Sequence, residues 1–277
     1  MTADLSQGAV FERLSASSAA QAGGENFPVA LRVLPEAPRD QLMRAYAFAR
    51  FVDDVGDKAP GDRIALLDAI DADVRAVPSG TAALPVVRAL QPLVDIGTPL
   101  APFLDLIEAN RMDQRVSRYE TFAALLHYCD YSAAPVGRIV LHIAGAVSDQ
   151  NVADSDAVCN ALQVLEHCQD VGEDAREGRI YIPGVELDDA LASWTSPGVR
   201  DAVATHVALA QGMLSSGRTL VRRLHGWSRV AVAGYVGGGL ATAAALRRAE
   251  YDVLAGPVRP GKVRTARETV RLWMPFS

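Results

Sequence analysis

Apolar positions along this chain recur at helical spacing. From about Pro38 to Asp57, the residues Leu42, Tyr46, Ala49, Asp53 and Asp57 follow one another at steps of four, three, four and four. That spacing predicts one shared helix face. From about Asp156 to Asp174, Val158, Ala161, Leu165 and Cys168 form an apolar stripe, and Gln163, Glu166, Asp170 and Asp174 form a polar stripe on another face. Such a helix suits the wall of a lined cavity. Runs of strict alternation rich in β-branched residues are scarce. Pro and Gly fall between the patterned segments, at Pro60-Gly61, Pro78-Ser79-Gly80 and Pro183-Gly184. Pro135 lies inside a patterned segment and is expected to start or kink a helix. The longest apolar stretch, Val230 to Leu246, is rich in Gly and Ala and falls short of the roughly 20 residues of a membrane span. It reads as a buried helix. Residues 1–24 are small and polar and read as a flexible N-terminal arm. Residues 25–277 read as one all-α domain.

Composition narrows the function. The chain has 277 residues, 49% of them hydrophobic, enough for a sizeable helical core. A formal net charge of -6 argues against a nucleic-acid partner. It leaves room for an anionic small substrate, because bound metal ions reverse the local sign. Three cysteines, Cys129, Cys159 and Cys168, form an odd set with no zinc-site spacing. With no basic start or apolar run in MTADLSQGAVFERL, a reduced cytoplasmic protein is expected.

The carboxylates carry the chemistry. Asp53 and Asp57 stand one helical turn apart, which weakens a helix by roughly 0.2–0.5 kcal/mol. They lie at a C-terminal end, where the macrodipole disfavours negative charge. Gly56 beside them costs about 1 kcal/mol relative to Ala. Glu166, Asp170 and Asp174 repeat the spacing around Gly172. Local propensity opposes both motifs, so something outside the helices should compensate. A hard divalent cation is the natural candidate. If the five carboxylates converge, about three magnesium ions would nearly balance them together with a diphosphate. Arg50, Arg179 and Tyr181 lie close by in sequence and offer a guanidinium fork or a hydroxyl to phosphate oxygens. The bland alternative is a pair of solvated acidic helix ends; matched spacing and adjacent arginines make it the poorer reading.

Two segments, YAFARFVDDVGD (Tyr46–Asp57) and LQVLEHCQDVGEDAREGRIYIP (Leu162–Pro183), are long, paired and ordered in a familiar way. In them, and from about Glu25 to Gly256, the chain resembles the squalene and phytoene synthase family, the head-to-head branch of the trans-isoprenyl diphosphate synthases. The resemblance implies the isoprenoid synthase fold, a helical bundle around a central active-site cavity. It implies Mg2+ as cofactor, bound by Asp53, Asp57, Asp170 and Asp174, with Glu166 as a further ligand. Glu166 departs from the Asn usual there, adding a negative charge. Tyr181 joins the four aspartates as a catalytic candidate. Arg50 and Arg179 would support the diphosphate. Tyr46, Tyr131, Ser132, Gly137 and Gln163 would line the prenyl site, in part through the small residues of YCDYSAAPVG (Tyr128–Gly137), where Pro135 breaks the helix.

ENFPVALRVLP (Glu25–Pro35), SAAPVGR (Ser132–Arg138) and the stretch from Gly226 to Gly256 resemble the hydroxysqualene synthases of the bacterial hopanoid pathway. The implied reaction is ionisation of presqualene diphosphate and capture by water, with Tyr131 or Gln163 as candidates to position that water. Head-to-head condensation of two farnesyl or geranylgeranyl diphosphates, and a non-catalytic prenyl-lipid scaffold, stand as alternatives. Lipidic substrates make contact with the inner face of a membrane, and with enzymes of the same pathway, compatible partners; Arg222-Arg223 and Arg247-Arg248 would offer a basic rim. The glycines from Gly234 to Gly239 open no βαβ unit, so no dinucleotide loop is expected. His127, Cys129 and Cys168 read as packing or surface positions, His167 as a helix-surface residue, and Trp194, Trp227 and Trp273 as packing residues.

Overall fold

The computed structural model describes residues 10–11 and 34–274. Among these no strand occurs; one isolated parallel bridge joins Arg118 and Ile180. Helix α1, Glu36–Lys58, begins behind Pro35 and stops before Ala59-Pro60. It turns Phe48, Phe51, Val52 and Val55 inward, close to the span expected from periodicity. Helix α2, Arg63–Arg75, starts where the Asp62 carboxylate accepts from the Ala65 N–H, satisfying one of the free donors of a helix start. Short helices α3, Pro85–Arg88, and α4, Gln91–Asp95, lead to α5, Ala101–Asp113. After them come α6, Phe122–Ser132; α7, Ala134–Ile143; α8, Asp149–Gln169; α9, Val171–Arg176; and α10, Leu187–Ala190. The last four are α11, Pro197–Met213; α12, Ser216–Arg223; α13, Gly226–Arg248; and α14, Lys262–Trp273.

The chain groups into two compact units. One holds the residues up to Arg115 together with Ile139–Ala146; the other holds Val116–Arg138 and everything from Val147. In the first, Phe48 meets Phe103 edge-on at 5.5 Å, within a core that includes Leu67, Ile70, Leu93, Ile107 and Ile139. Val10 and Phe11, inside the expected loose arm, are buried, with the Phe11 ring 5.9 Å from that of Phe51. The rest of 1–24 lies outside the described residues.

In the second unit α8 packs against α11, α12 and α13. It begins seven residues before the expected Asp156, because Ser148 accepts from the Asn151 N–H and caps it there. It then leaves helical geometry at Asp170, with φ -102° and ψ 14°, instead of running straight to Asp174. The bonds Asp170 N–H to Glu166 O (3.0 Å) and Asp174 N–H to Asp170 O (2.8 Å) continue through the bend. Pro135 is the second residue of α7, in its first turn, as expected of a proline that starts a helix; Ala133 alone divides α6 from α7. Helix α13 is the one helix among the described residues long and apolar enough to cross a membrane. Half of its apolar window is buried, and it packs against α14, α12, α8 and α11. Two tryptophans depart from expectation: Trp194 and Trp273 are exposed, at 61% and 49%.

Candidate functional site

The first acidic motif closes α1. Asp53 and Asp57 face outward, while Asp54 between them is 2% exposed. Asp54 receives Lys58 Nζ at 2.7 Å, with Arg50 Nε 3.7 Å away. The sequence puts Arg50 beside Asp53; the structure gives it Asp54 as its closer acid, because positions four apart stack more directly than positions three apart. Asp53 has a partner that spacing could not reveal. Asn110 of α5 donates from Nδ2 to its Oδ1 at 3.0 Å and to the Leu106 carbonyl at 3.2 Å. Gln114, one turn further on, donates to the Gly56 carbonyl at 3.0 Å. A Cβ on Gly56 would stand 2.1 Å from Asn110 Oδ1, so glycine is what admits Asn110. Burial pushes the Asp53 carboxyl up to about 6; the Asn110 bond opposes this, Asp57 adds repulsion and Arg50 relieves some of it. The carboxylate is thus solvent-exposed but crowded by protein and by like charge, a condition that favours a cation.

The second motif follows the bend at Asp170. Burial pushes Asp170 up to about 6, and repulsion from Glu166, Asp174 and Glu173 adds to it. Glu166 is raised as well, mainly by burial, with His167 opposing and Asp174 contributing. His167, expected at the helix surface, is buried at 6%. It stacks on Tyr181 with ring centroids 3.8 Å apart and planes at 15°. Its Nδ1 lies 3.3 Å from Asp174 Oδ2, and its Nε2 lies 3.2 Å from Gln163 Nε2. Both ring nitrogens are thus engaged, Nδ1 by an acid oxygen and Nε2 by the Gln163 amide, which fixes the ring's orientation. Tyr119 and Tyr128 complete an aromatic cluster around Tyr181, with centroids 5.7 Å and 5.4 Å from its ring.

Arg179 is placed by a helix ending. Gly178 sits at φ +79°, its N–H bonds the Ala175 carbonyl at 3.0 Å, and the Arg179 N–H bonds the Asp174 carbonyl at 2.9 Å. This double closure of a helix C-terminus needs a left-handed residue and brings the chain back over its last turn. Ile180 is clamped by Ser117 and Tyr119: its N–H bonds Ser117 O at 2.8 Å and its carbonyl accepts from Tyr119 N–H at 3.1 Å. A small cleft results, lined by His167, Val171, Asp174, Arg179, Tyr181 and Val185.

Other candidates take different positions. Tyr46 is half-buried on α1, two turns ahead of Asp53. Tyr131 packs edge-on against His127 at 5.2 Å. Ser132 ends α6 with its hydroxyl buried and without a hydrogen-bond partner among the described residues. Gly137 lies where a Cβ would reach Ser155 Oγ at 2.3 Å and Cys159 Sγ at 2.6 Å, so its small size serves the close approach of α7 to α8. The three cysteines are free, and burial pushes the Cys129 thiol up to about 12 and Cys159 up to about 11. Neither suits a nucleophile.

The donors can be tested against the implied cation. Among the described residues no three His, Cys, Asp or Glu side chains gather closely enough to hold a metal by themselves. The acids instead come as reachable oxygen donors one turn apart. That fits magnesium, which binds few carboxylates and fills its shell with water and phosphate oxygens.

Comparison with known proteins agrees with this geometry. The family model described as squalene/phytoene synthase matches residues 20–268. A hydroxysqualene synthase of Rhodopseudomonas palustris is 36% identical over 193 residues, 68% of this chain; the match spans 65% of that relative, just under two thirds of its length. A presqualene diphosphate synthase of the same organism is 30% identical over 72% of this chain and 78% of its own. The crystal structure of squalene synthase HpnC from Alicyclobacillus acidocaldarius is 42% identical, with a TM-score of 0.77 over 87% of this chain and 93% of that one. The helices described above are those of the all-α isoprenoid synthase fold. With both acidic motifs inside the matched region, the chain belongs to the squalene/phytoene synthase family.

Proposed function

We propose that this chain converts presqualene diphosphate and water into hydroxysqualene and diphosphate. The carbon–oxygen bond to the diphosphate breaks, and the leaving group takes the electron pair. The cation left behind rearranges, and a water oxygen bonds to carbon and gives up a proton. Asp53 and Asp57 in one motif, and Asp170, Asp174 and Glu166 in the other, would hold Mg2+. When bound, Mg2+ supplies positive charge to the departing diphosphate, where charge builds in the transition state. Arg50 and Arg179 would each offer a cation to diphosphate oxygens, and the Tyr181 hydroxyl a donor. Tyr46, Tyr131, Ser132, Gly137 and Gln163 would bound the prenyl chains and keep stray bases away.

The observation that carries this reading is the build of the second motif. His167 holds Asp174 by its side chain, and the Gly178 turn holds the Arg179 backbone on the Asp174 carbonyl. An acid held by its side chain, with an arginine whose backbone is pinned in the adjoining turn, suits a metal–diphosphate pair better than a solvated helix end. Similarity to a hydroxysqualene synthase over 68% of the chain supports the product. Similarity to a presqualene diphosphate synthase keeps a second reading, condensation of two farnesyl diphosphates.

The test offers the purified protein each substrate separately, with and without magnesium. Presqualene diphosphate should give hydroxysqualene only when the metal is present. Asp53→Ala and Asp170→Ala should each lower turnover at least about a thousandfold. Turnover without metal, or full activity in both variants, overturns the mechanism. Presqualene diphosphate formed from farnesyl diphosphate, with presqualene diphosphate itself left untouched, transfers the assignment to the second reading.

A further inference from the structure

Helix α14 wears its amphipathic pattern reversed. A surface helix of a soluble protein turns aliphatic side chains inward and polar ones outward. Here Thr265 and Thr269 are half-buried, and Val263, Val270, Trp273 and Met274 are exposed, Val263 at 86%. Both threonines settle their hydroxyls on their own helix, at the Gly261 and Thr265 carbonyls. Only Leu272 of the helix is buried as an apolar anchor. At 100° per residue, Val263, Ala266, Val270 and Trp273 fall within roughly 80° of the circumference and make one outward stripe. A single exposed valine means nothing; a continuous stripe does.

Charge says what would cover it. Between Val258 and Met274 stand five basic residues, Arg259, Lys262, Arg264, Arg267 and Arg271, against the single acid Glu268, in a chain whose net charge is -6. Arg264 and Arg267 are exposed and follow one edge of the stripe; Lys262 is exposed on the other. The end of the helix is fixed, because Arg229 of α13 donates from Nη2 to the Trp273 carbonyl at 2.9 Å. An aliphatic stripe with a terminal Trp and a basic border is the pattern of a helix lying in a bilayer interface. The border attracts anionic headgroups, and long Arg and Lys stems reach past the apolar stripe to them.

We infer that the outward face of α14 is a docking surface for an anionic lipid bilayer, entered by Val263, Val270, Trp273 and Met274 and held by Lys262, Arg264 and Arg267. This stands apart from the catalytic reading, since binding requires neither metal nor prenyl substrate. The full chain is sedimented with vesicles of phosphatidylcholine alone and of phosphatidylcholine with 30 mol% phosphatidylglycerol (an illustrative mix, on the order of anionic inner leaflets), at low and high salt. Binding should favour the anionic vesicles at least about tenfold and weaken at high salt. Arg264→Glu/Arg267→Glu should lose most of that preference, and Val263→Ser/Val270→Ser/Trp273→Ser should lose binding to both vesicles. Thermal melting checks that the variants fold; all the changed side chains point outward. No binding to anionic vesicles, or wild-type binding by either folded variant, overturns the inference. So does a stable dimer that dissociates in the serine variant without any vesicle binding, which would make a second copy the occupant.

Discussion

At Gly56 a side-chain carbon would stand 2.1 Å from Asn110 Oδ1, the neighbour whose amide reaches Asp53 at 3.0 Å. Gly56→Ala therefore has two opposed effects. The helix gains about 1 kcal/mol of propensity, and displacing a short side chain costs about 1–3 kcal/mol. The melting temperature should move little. Turnover should fall roughly tenfold or more, because a hydrogen bond to a charged group is worth about 1.5–3 kcal/mol. Asn110→Ala should lose a similar amount. If Gly56→Ala keeps full turnover where Asn110→Ala does not, the clash does not matter to Asp53. His167 allows a cleaner separation. Phe at this position keeps the stack on Tyr181 and loses the contacts with Asp174 and Gln163. His167→Phe should fold normally and need roughly tenfold more magnesium for half-maximal rate; an unchanged metal requirement would leave His167 a packing residue. Asp53, Asp57, Asp170 and Asp174 were legible because their spacing is local and energetically perverse. Asn110 and His167 were not. The first lies 57 residues from its partner, and the second is a polar residue one turn from buried Val164, on a face the polar pattern did not mark as inward.

Among elements, α2 and α5 are joined through charge. Arg111 of α5 bonds Asp68 at 2.5 Å and Asp71 at 3.2 Å, with Glu108 at 3.3 Å. Burial alone would raise the Asp71 carboxyl; hydrogen bonds from Arg75 and Arg111 outweigh it and hold the group below its ordinary range. A carboxyl depressed in the folded state stabilises the fold at pH above its unfolded value, about 3.9, and that contribution disappears as pH falls through the lower folded value. Melting temperature should therefore drop below about pH 4 through this group, and Arg111→Gln should make the drop shallower. Equal slopes would show that the α2–α5 pair does not register Asp71. The element boundaries are set locally wherever caps and breakers are close in sequence: Asp62 before α2, Pro135 in the first turn of α7, Gly178 after α9. The missed early start of α8 is of the same local kind, since Ser148 is an ordinary cap with no apolar period yet behind it. The bend at Asp170 is different, for the hydrogen bonds through it remain those of a helix.

On the scale of the whole molecule, hydrophobic periodicity announces an all-α protein but not how its helices are shared out. Ala134–Ile143 is one helix. Yet its residues from Ile139 on belong with the first compact unit and those before with the second. Ile139, 2% exposed, is a member of the first unit's core. Ile139→Ala should cost about 2–5 kcal/mol in a urea titration, as other buried large-to-small changes do. A loss under 1 kcal/mol would mean the core closes without it.

That arrangement bears on how the protein is made. A ribosome delivers the chain from its N-terminus, and Arg115 leaves the tunnel with most of the first unit already outside. The core of that unit nevertheless stays open until residues 139–146 arrive, after Val116–Arg138 of the other unit. For those thirty-odd residues of synthesis, a few seconds at ordinary elongation rates, the core that holds Phe48, Phe103 and Ile107 would wait without Ile139. This is the interval in which a nascent chain has most use for a chaperone, and in which a stalled or truncated product would be most prone to stick to its own kind.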